Sequence, residues 1–319
     1  MNKYVYGPVP SRRLGKSMGI NNIPYKVCPY NCVYCQIGEV PEQIVKLKPF
    51  YNTNEIIKAV EEKLNSLPKS EMPDYLSLVP DGEPTLDINL DSLIEQLKQF
   101  SIPIAVISNA SMLGTPSVFN ALLKANYVSL KIDSVTESIW KTINRPHIEL
   151  NFNEVLESVS RFAKEYKHFL VTESMFLKNH NDSEQEIAAI AKYIKELNPK
   201  IAYLAIPTRP GPCKNIEPAN EAALTNAYGI FTDNGIKSEF LTGYEGNEFS
   251  STGNFENDIM SITAVHPMRE DAVYKLIESC NTNKYELNKL IESAKIKVAQ
   301  YGGHNFYSRV FLSFTFTKI

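Results

Sequence analysis

The stretch IPIAVISNASMLGTPSVFNALLKANYVSLKI, residues 102–132, contains a strand, a helix and a second strand in succession. Residues 102–108 and 127–132 are short apolar runs rich in β-branched side chains, as buried strands are. Between them, Thr115 and Pro116 form an N-cap and first-position pair that opens a helix extending to Ala125. Two apolar strands joined through a helix are typical of parallel neighbours in one sheet.

The same alternation of strands and helices continues on both sides of this stretch. Further strands are predicted at residues 18–23, 74–79, 168–176, 201–206 and 236–241, and further helices at residues 54–64, 90–100, 152–166, 183–197 and 217–231. We therefore expect an α/β protein with a partial (β/α)6 barrel, and an open doubly wound sheet is the alternative. In both architectures the functional groups lie at the carboxyl ends of the strands.

The composition changes after the last of these strands. Residues 243–257 are rich in Gly, Ser and Asn, as linkers are. Beyond them, two helical patterns are followed by two alternating runs that flank Gly302 and Gly303, a hairpin signal. Helix, helix and β-ribbon is the order of a winged helix-turn-helix, and the alternating residues 311–319 also read as a strand. The predicted division is a barrel domain, a linker and a winged helix-turn-helix-like domain, at residues 1–242, 243–257 and 258–319.

Composition also restricts the class of protein and its location. The chain has 319 residues, of which 43% are hydrophobic and 22% charged, the usual proportions of a globular protein. Its first residues contain no apolar signal-peptide core, and no run of about 18 apolar residues occurs, so we expect a cytoplasmic protein without a membrane partner. The net charge of −3 argues against general electrostatic capture of nucleic acid.

Basic residues are concentrated near the N-terminus, where residues 1–38 contain no acidic residue. The basic residues of this segment are Lys3, Arg12, Arg13, Lys16 and Lys26. Two interpretations stay open. Either an anionic group such as a substrate lies near the segment, or its charges balance acidic loops elsewhere.

Three of the five cysteines lie close together, in the sequence VCPYNCVYC at residues 27–35. Cys28, Cys32 and Cys35 have the spacing C-x₃-C-x₂-C, and clustered thiolates are ligands of iron–sulfur clusters or of zinc. A four-iron cluster usually takes four cysteines, so three leave one iron open to a chelating ligand such as S-adenosylmethionine. The alternative is a zinc site completed by Cys213, Cys280 or a histidine, although zinc sites usually contain a second close pair.

The spacing, with the aromatic Tyr34 before the last cysteine, resembles the radical S-adenosylmethionine (radical SAM) superfamily. The longer string PVPSRRLGKSMGINNIPYKVCPYNCVYCQIG, residues 8–38, is similar to a branch of small iron–sulfur oxidoreductases related to the wybutosine tricyclic-base synthases. The resemblance extends from about Tyr6 to the C-terminus. It implies a partial (β/α)6 barrel of radical SAM type, with a [4Fe–4S] cluster on the three cysteines and S-adenosylmethionine as cofactor. An external one-electron donor of flavodoxin or ferredoxin type then drives reductive cleavage of S-adenosylmethionine, which starts radical chemistry on an unidentified substrate.

The resemblance also implies cofactor contacts at the strand ends. Residues 80–85, PDGEPT, correspond to a Gly-Gly-Glu-Pro type segment whose backbone binds the amino group of the cofactor, and Asp81 stands where glycine is common. Lys131 and Asp133 alternate with apolar residues and point to one face of their strand, toward either the cofactor or a structural ion pair. The expected cofactor contacts are Tyr34, Asp81, Gly82, Glu83, Pro84, Ser108, Asn109, Lys131 and Asp133.

Other loops carry polar residues whose role the sequence leaves open. Arg145 lies in a loop positioned to close over the site, and Glu173 and Arg209 lie at two further strand ends. Cys213, close to Arg209, is a further ligand, a radical-relay thiol or an ordinary loop cysteine. No general acid or base is singled out.

Three other functions are considered beside the radical SAM enzyme, and one of them is a zinc-stabilised structural protein, which would show no visible absorbance. A tRNA-base modifying enzyme of wybutosine-synthase type is supported by the basic N-terminal segment and the winged helix, and opposed by the acidic net charge. A DNA-binding iron–sulfur sensor would use the winged helix as its reader. The barrel-like main body argues against the sensor, which needs no such scaffold.

Overall fold

The computed structural model describes residues 4–242, 251, 253–265 and 267–310. Its main feature is a curled, eight-stranded sheet in which the strands follow one another in chain order. The first two strands are antiparallel and all later neighbours are parallel. The strands are β1 (Val5–Ser11), β2 (Gly15–Ile20), β3 (Tyr75–Leu78), β4 (Ile104–Ser108), β5 (Tyr127–Lys131), β6 (Phe169–Met175), β7 (Ile201–Ala205) and β8 (Ser238–Leu241).

Helical crossovers connect each parallel strand to the next, which gives six β/α units from β2 to β8. The helices are α1 (Thr53–Ser66), α2 (Leu90–Leu97), α3 (Pro116–Leu122), α4 (Glu137–Ile143), α5 (Phe152–Glu165), α6 (Glu184–Leu197) and α7 (Glu221–Asp233). The sequential strand order is that of a half-barrel, whereas a doubly wound sheet reverses its order part-way. The predicted partial (β/α)6 barrel is therefore confirmed.

Successive side chains along the strands lie alternately in two different hydrophobic cores. On β5, Val128 and Leu130 belong to the large core between the sheet and the helices, whereas Tyr127 belongs to a smaller core in the half-barrel interior. Leu14, from the turn between β1 and β2, also belongs to the interior core. Because side chains alternate along a strand, Lys131 faces the interior with Tyr127. The lower part of the half-barrel is thus filled, and polar groups lie toward the carboxyl ends of the strands.

Some details of the half-barrel differ from the prediction. Strand β1 was not predicted, because its sequence VYGPVPS contains a glycine and two prolines, which disfavour a strand. Helix α4 was also not predicted. Helix α7 begins at Glu221 instead of residue 217, because the side chain of Asn220 caps it by accepting a hydrogen bond from the N–H of Ala223 at 2.8 Å.

The C-terminal module, residues 255–310, contains three helices and a three-stranded sheet of order β10-β11-β9. Its elements are α8 (Phe255–Val265), β9 (Met268–Arg269), α9 (Glu270–Ser279), α10 (Lys284–Glu292), β10 (Ile296–Tyr301) and β11 (His304–Arg309). The two predicted helices and the β-ribbon are present as α9, α10 and β10–β11, but α8 and β9 were not predicted, and α8 begins inside the predicted linker. Most of the predicted linker, and the strand expected at residues 311–319, lie outside the described residues.

This module packs against the first strand of the half-barrel. Tyr6 and Val9 of β1 share a buried core with Phe255 and Ile259 of α8. At the far end of the β10–β11 hairpin, the hydroxyl of Tyr301 donates a hydrogen bond to the carbonyl of Pro207, in the loop after β7, at 2.9 Å. Among the described residues, no helix combines the length and apolar character that a membrane span requires.

Candidate functional site

The three clustered cysteines lie on the cysteine loop, residues 27–38, beyond the carboxyl end of β2. One side of this loop pairs with the exit segment, residues 143–147, which begins at the last residue of α4. The N–H of Val33 donates to the carbonyl of Ile143 at 2.9 Å, and the N–H of Asn31 donates to the carbonyl of Asn144 at 3.0 Å. Backbone pairing with a segment more than a hundred residues away fixes the conformation of the loop.

The other side of the loop contacts the segment that follows β3. The N–H of Lys26 donates to the carbonyl of Asp81 at 2.7 Å, and the N–H of Glu83 donates to the carbonyl of Val27 at 2.9 Å. A Cβ atom placed on Gly82 would lie 2.0 Å from the carbonyl oxygen of Val27. Position 82 therefore requires glycine because the cysteine loop itself approaches here.

Each of the three thiols lies next to N–H donors. The side-chain amide of Asn109 is 3.4 Å from Cys28 Sγ, and that of Asn144 is 3.5 Å from Cys32 Sγ. Burial raises the pKa of all three thiols, that of Cys32 to about 12, while backbone N–H groups that follow Cys35 oppose the rise there. Donors directed at partly buried sulfur atoms suit thiolates that ligate a metal, and three such thiolates fit the donor set of an iron–sulfur cluster.

The spacing of the thiols is also relevant to the choice between a single metal ion and an iron–sulfur cluster. Among the residues that the structure describes, no three His, Cys, Asp or Glu side chains are grouped around the position of a single ion. A four-iron cluster binds each cysteine at a separate iron atom.

Cys280 lies outside this loop, in the core of the C-terminal module, where its thiol is 3.1 Å from the hydroxyl of Ser251.

Two lysines lie near these thiols. The Lys26 ammonium donates to the carbonyl of Glu39 at 2.6 Å and interacts electrostatically with Cys35. The Lys131 ammonium lies 5.0 Å from the centre of the Tyr34 ring and interacts electrostatically with Cys32. Positive charge beside the loop favours an anionic group there.

Tyr34, Asp133 and Asn144 form one buried hydrogen-bond network behind the cysteine loop. The Tyr34 hydroxyl and the Asn144 amide both donate to Oδ2 of Asp133, the amide at 2.7 Å. Oδ1 of Asp133 accepts from the N–H of Met175 at 2.8 Å. The Tyr34 ring packs with Val33 and other apolar groups, as the ring of an aromatic residue in a hydrophobic core does.

Glu83 connects the ends of β3 and β4. Its carboxylate accepts hydrogen bonds from the Thr85 hydroxyl at 2.6 Å, the Ser108 hydroxyl at 2.7 Å and the N–H of Asn109 at 2.8 Å. It also caps the short 3₁₀ helix Pro84–Leu86. Expected cofactor residues of two strands are thus brought together, with Glu83 as the link between them.

Asp81 points away from this network. It is 5% exposed, and among the described residues its Oδ1 has no hydrogen-bond partner. Burial raises the pKa of Asp81 to about 8, against the opposing effects of Arg309 on β11 and of Lys26. Aspartate at the position where glycine is common therefore adds a buried carboxyl group that interacts electrostatically with Lys26, before the cysteine loop, and with Arg309 of the C-terminal module.

The basic N-terminal segment meets the half-barrel interior through Arg13. Its guanidinium pairs with Glu173 on β6, and Glu173 also accepts from the Lys131 ammonium at 2.7 Å. Burial would raise the pKa of Glu173, but Lys131 and Arg13 outweigh it and lower the pKa to about 2. The charge of Arg13 is therefore balanced by an acidic side chain inside the half-barrel. Lys16 likewise lies 3.7 Å from Glu71, and Lys3 lies outside the described residues.

The loop after β7 covers the cysteine loop. Arg209 donates to the Gln36 side-chain oxygen at 3.0 Å, and a Cβ atom on Gly211 would lie 3.0 Å from the backbone of Tyr34. Cys213 packs in the same apolar cluster as Tyr34 and Cys32. Arg145, by contrast, lies on the exit segment and is exposed.

The sequence did not single out Asn144 or the anchoring role of α4. Trp140 on α4 donates its indole N–H to the Tyr30 hydroxyl at 3.1 Å, beside the contacts of Asn144 with the loop. Asn144 is followed by Arg145, which has a φ of +44°, and Pro146. The signal in the sequence that could have indicated Asn144 is a polar residue before an Arg-Pro pair at the end of a helix.

Comparison with known proteins identifies the family. The pattern that defines the Radical SAM superfamily matches residues 22–191, more than half of the chain. The chain belongs to this superfamily. The predicted membership is thus confirmed. The UPF0026 protein MJ1312 of Methanocaldococcus jannaschii is 44% identical over 306 residues, which cover 95% of each chain.

Two solved structures are similar to the chain in fold, and a third matches with a lower TM-score. A radical SAM methyltransferase from Sphaerobacter thermophilus matches with a TM-score of 0.55 and 11% identity, over 71% of this chain and 66% of that chain. Streptococcus suis SuiB bound to S-adenosylmethionine matches with a TM-score of 0.53 and 13% identity, over 70% and 49%. A structure of TYW1 with a lysine-pyruvate adduct has a TM-score of 0.44 and 12% identity, over 92% and 81%.

Proposed function

We propose that this superfamily member is an enzyme that holds a [4Fe–4S] cluster on Cys28, Cys32 and Cys35. When bound, the reduced cluster supplies one electron to S-adenosylmethionine, whose C–S bond cleavage generates the radical that attacks the substrate. The observation that carries the proposal is the set of three partly buried thiols on one loop, each next to N–H donors. Those donors stabilise thiolate character at the sulfur atoms that would ligate iron.

The cofactor is proposed to bind beside the cysteine loop, at the ends of β3, β4 and β5. Asn109 directly follows β4, and Lys131 is the last residue of β5. Asn109 offers both a donor and an acceptor, as ribose hydroxyls and a carboxylate require. Glu83 holds the two neighbouring loops in register through its hydrogen bonds to Ser108 and Asn109.

An external one-electron donor of flavodoxin or ferredoxin type is proposed to reduce the protein. The substrate is proposed to enter the half-barrel, because the polar groups of the interior and the cysteine loop both lie toward the carboxyl ends of the strands. The cationic side chains of Arg13 and Lys131 both pair with Glu173. A substrate that carries an anionic group is proposed because residues 1–38 contain five basic residues and no acidic one.

The test is anaerobic reconstitution with iron and sulfide, followed by EPR of the dithionite-reduced protein. A [4Fe–4S]⁺ signal that shifts on addition of S-adenosylmethionine, with formation of 5′-deoxyadenosine, is the expected result. The variants Cys28→Ala, Cys32→Ala and Cys35→Ala are each expected to lose the signal. Cys280→Ala is the matched control, because Cys280 lies in the other core and should leave iron content unchanged.

Other outcomes would point to the other functions. A cluster signal that S-adenosylmethionine does not change, together with salt-dependent binding to duplex DNA, would support an iron–sulfur sensor. Binding of tRNA by a protein that forms 5′-deoxyadenosine would instead indicate a tRNA-base modifying enzyme. Tightly bound zinc without visible absorbance would overturn all three.

A further inference from the structure

Asn144 is a buried amide that contacts one of the three cysteines. It is 3% exposed and forms the C-cap of α4. Its Nδ2 atom lies 2.7 Å from Asp133 Oδ2, 3.5 Å from Cys32 Sγ and 3.4 Å from the Tyr34 hydroxyl. An amide nitrogen has two hydrogens. One satisfies the carboxylate, so the other is directed toward the sulfur and the phenol.

The position of this amide is fixed from the backbone as well. The carbonyl of Asn144 accepts the N–H of Asn31, inside the cysteine loop, at 3.0 Å. The amide therefore moves with the loop and keeps its distance from Cys32. The same amide nitrogen contacts both the sulfur atom and the Asp133 carboxylate, so it links the two groups.

We propose that Asn144 is a positioning residue that raises the reduction potential of the cluster through its contact with Cys32. This inference rests on the proposed function. Reduction adds one negative charge to the cluster, and an N–H donor on a ligating sulfur stabilises the reduced state more than the oxidised state. The potential depends on hydrogen bonds to the sulfurs and on local charge, and Asn144 controls both at Cys32.

Asn144 is a cleaner probe of this effect than Asn109. Asn109 contacts Cys28, but it is also a proposed cofactor contact, so its replacement would change two properties together. The chain also offers a matched control. Asn181 is another fully buried asparagine, and its amide donates to the backbone carbonyls of Asp133 at 2.7 Å and Met175 at 2.8 Å.

The experiment is an EPR-monitored redox titration of the reconstituted protein without S-adenosylmethionine. Asn144→Leu removes the donor at similar size, and Asn144→Asp replaces it with a second carboxyl group beside Asp133. We expect the midpoint to move to more negative potential in both, and further in Asn144→Asp. A tenfold smaller ratio of reduced to oxidised cluster at fixed potential corresponds to about 59 mV for one electron. Asn181→Leu should lower stability but leave the midpoint unchanged.

The controls distinguish a specific effect on the reduction potential from a general destabilisation of the protein. An unchanged midpoint in Asn144→Leu with full iron content would overturn the inference, as would an equal shift in Asn181→Leu. If Asn144→Leu retains no iron, Asn144→His, which keeps an N–H donor, is compared with Asn144→Asp. Equal midpoints of those two variants would also contradict the inference. A wild-type protein that binds no cluster would contradict the proposed function itself.

Discussion

Tyr34 and Asp133, which are 99 positions apart in the chain, are joined by a hydrogen bond from the phenol to the carboxylate. Both residues are buried. Tyr34 precedes the last cysteine of the loop, and Asp133 lies just beyond the end of β5. The bond therefore ties the conformation of the cysteine loop to the rigid sheet, before any cofactor is considered.

Removal of the Tyr34 hydroxyl should destabilise the apoprotein. In Tyr34→Phe, Asp133 keeps the Asn144 amide and the N–H of Met175 but loses one donor, so we expect a loss of about 1–3 kcal/mol of unfolding free energy. Urea denaturation measures it. Tyr228→Phe, at an exposed tyrosine of α7, should change stability by less than about 0.5 kcal/mol. Equal effects at both positions would show that the phenol–carboxylate bond is not stabilising.

Among the residues of the interior ion pairs, Glu173 is the one whose substitution is expected to lower the free energy of unfolding most. Glu173→Gln leaves Arg13 and Lys131 together without their carboxylate, and breaking such a partly buried network costs about 3 kcal/mol. Chemical denaturation at pH 7 measures the loss. The exposed pair Lys141–Glu137 is the control, and Lys141→Met should cost under about 1 kcal/mol. A loss no larger than that of the control would mean that solvent screens the interior pairs.

The same carboxylate has a defined pH dependence. Its folded pKa of about 2 lies below the ordinary value of 4.5, so its stabilisation is present above pH 4.5 and is lost as the pH falls toward 2. Glu173→Gln should therefore unfold with a flatter dependence on pH than the wild type over this range. A parallel dependence of wild type and variant would exclude Glu173 as a source of acid sensitivity.

Patterns of apolar residues were sufficient to predict most of the fold. The parallel strands were predictable because each is a short apolar run between turn signals, and parallel strands buried on both faces must be apolar throughout. Strand β1 was not, because its pairing with β2 and its cover by α8 depend on residues distant in sequence. Local propensity contains no information about such contacts.

The site was predictable only where a motif is continuous in sequence. The cysteine spacing identified Cys28, Cys32 and Cys35 as ligand candidates, and alternation placed Lys131 in the interior. The contact of Asn144 with Cys32 was not predictable, because it requires the exit segment to pair with the loop. The same holds for Arg13, whose charge is visible in the sequence while its partner Glu173 is not.

Gly19 and Tyr6 should behave as a coupled pair. A Cβ atom on Gly19 would lie 1.9 Å from the Tyr6 ring, so Gly19→Ala must displace that ring from the core shared with the C-terminal module. We expect a loss of about 1–3 kcal/mol. In the background Tyr6→Leu, the same alanine should cost clearly less, and a double-mutant cycle by thermal denaturation measures the difference.

A glycine with free space provides the control for this pair. At Gly229, in α7, an added Cβ atom would meet nothing within 4 Å, so Gly229→Ala should stabilise the protein by about 0.5–1 kcal/mol. If Gly19→Ala is equally well tolerated, or costs the same with and without the Tyr6 ring, then β1 does not pack on β2 as described.

Asp81 should make the protein less stable as the pH rises. Its carboxyl group has a pKa raised by burial to about 8, against an ordinary value of 3.8. Between these values the folded chain keeps a proton that the unfolded chain has released, so the free energy of unfolding falls with increasing pH. Asp81→Asn abolishes this linkage. The variant should therefore gain stability relative to the wild type, from almost none near pH 4 to a few kcal/mol near pH 8. Urea denaturation at several pH values measures the gain, with Asp233→Asn, at an exposed position in the last turn of α7, as the control. A gain that does not depend on pH would mean that Asp81 is ionised throughout, and that Arg309 and Lys26 neutralise it fully.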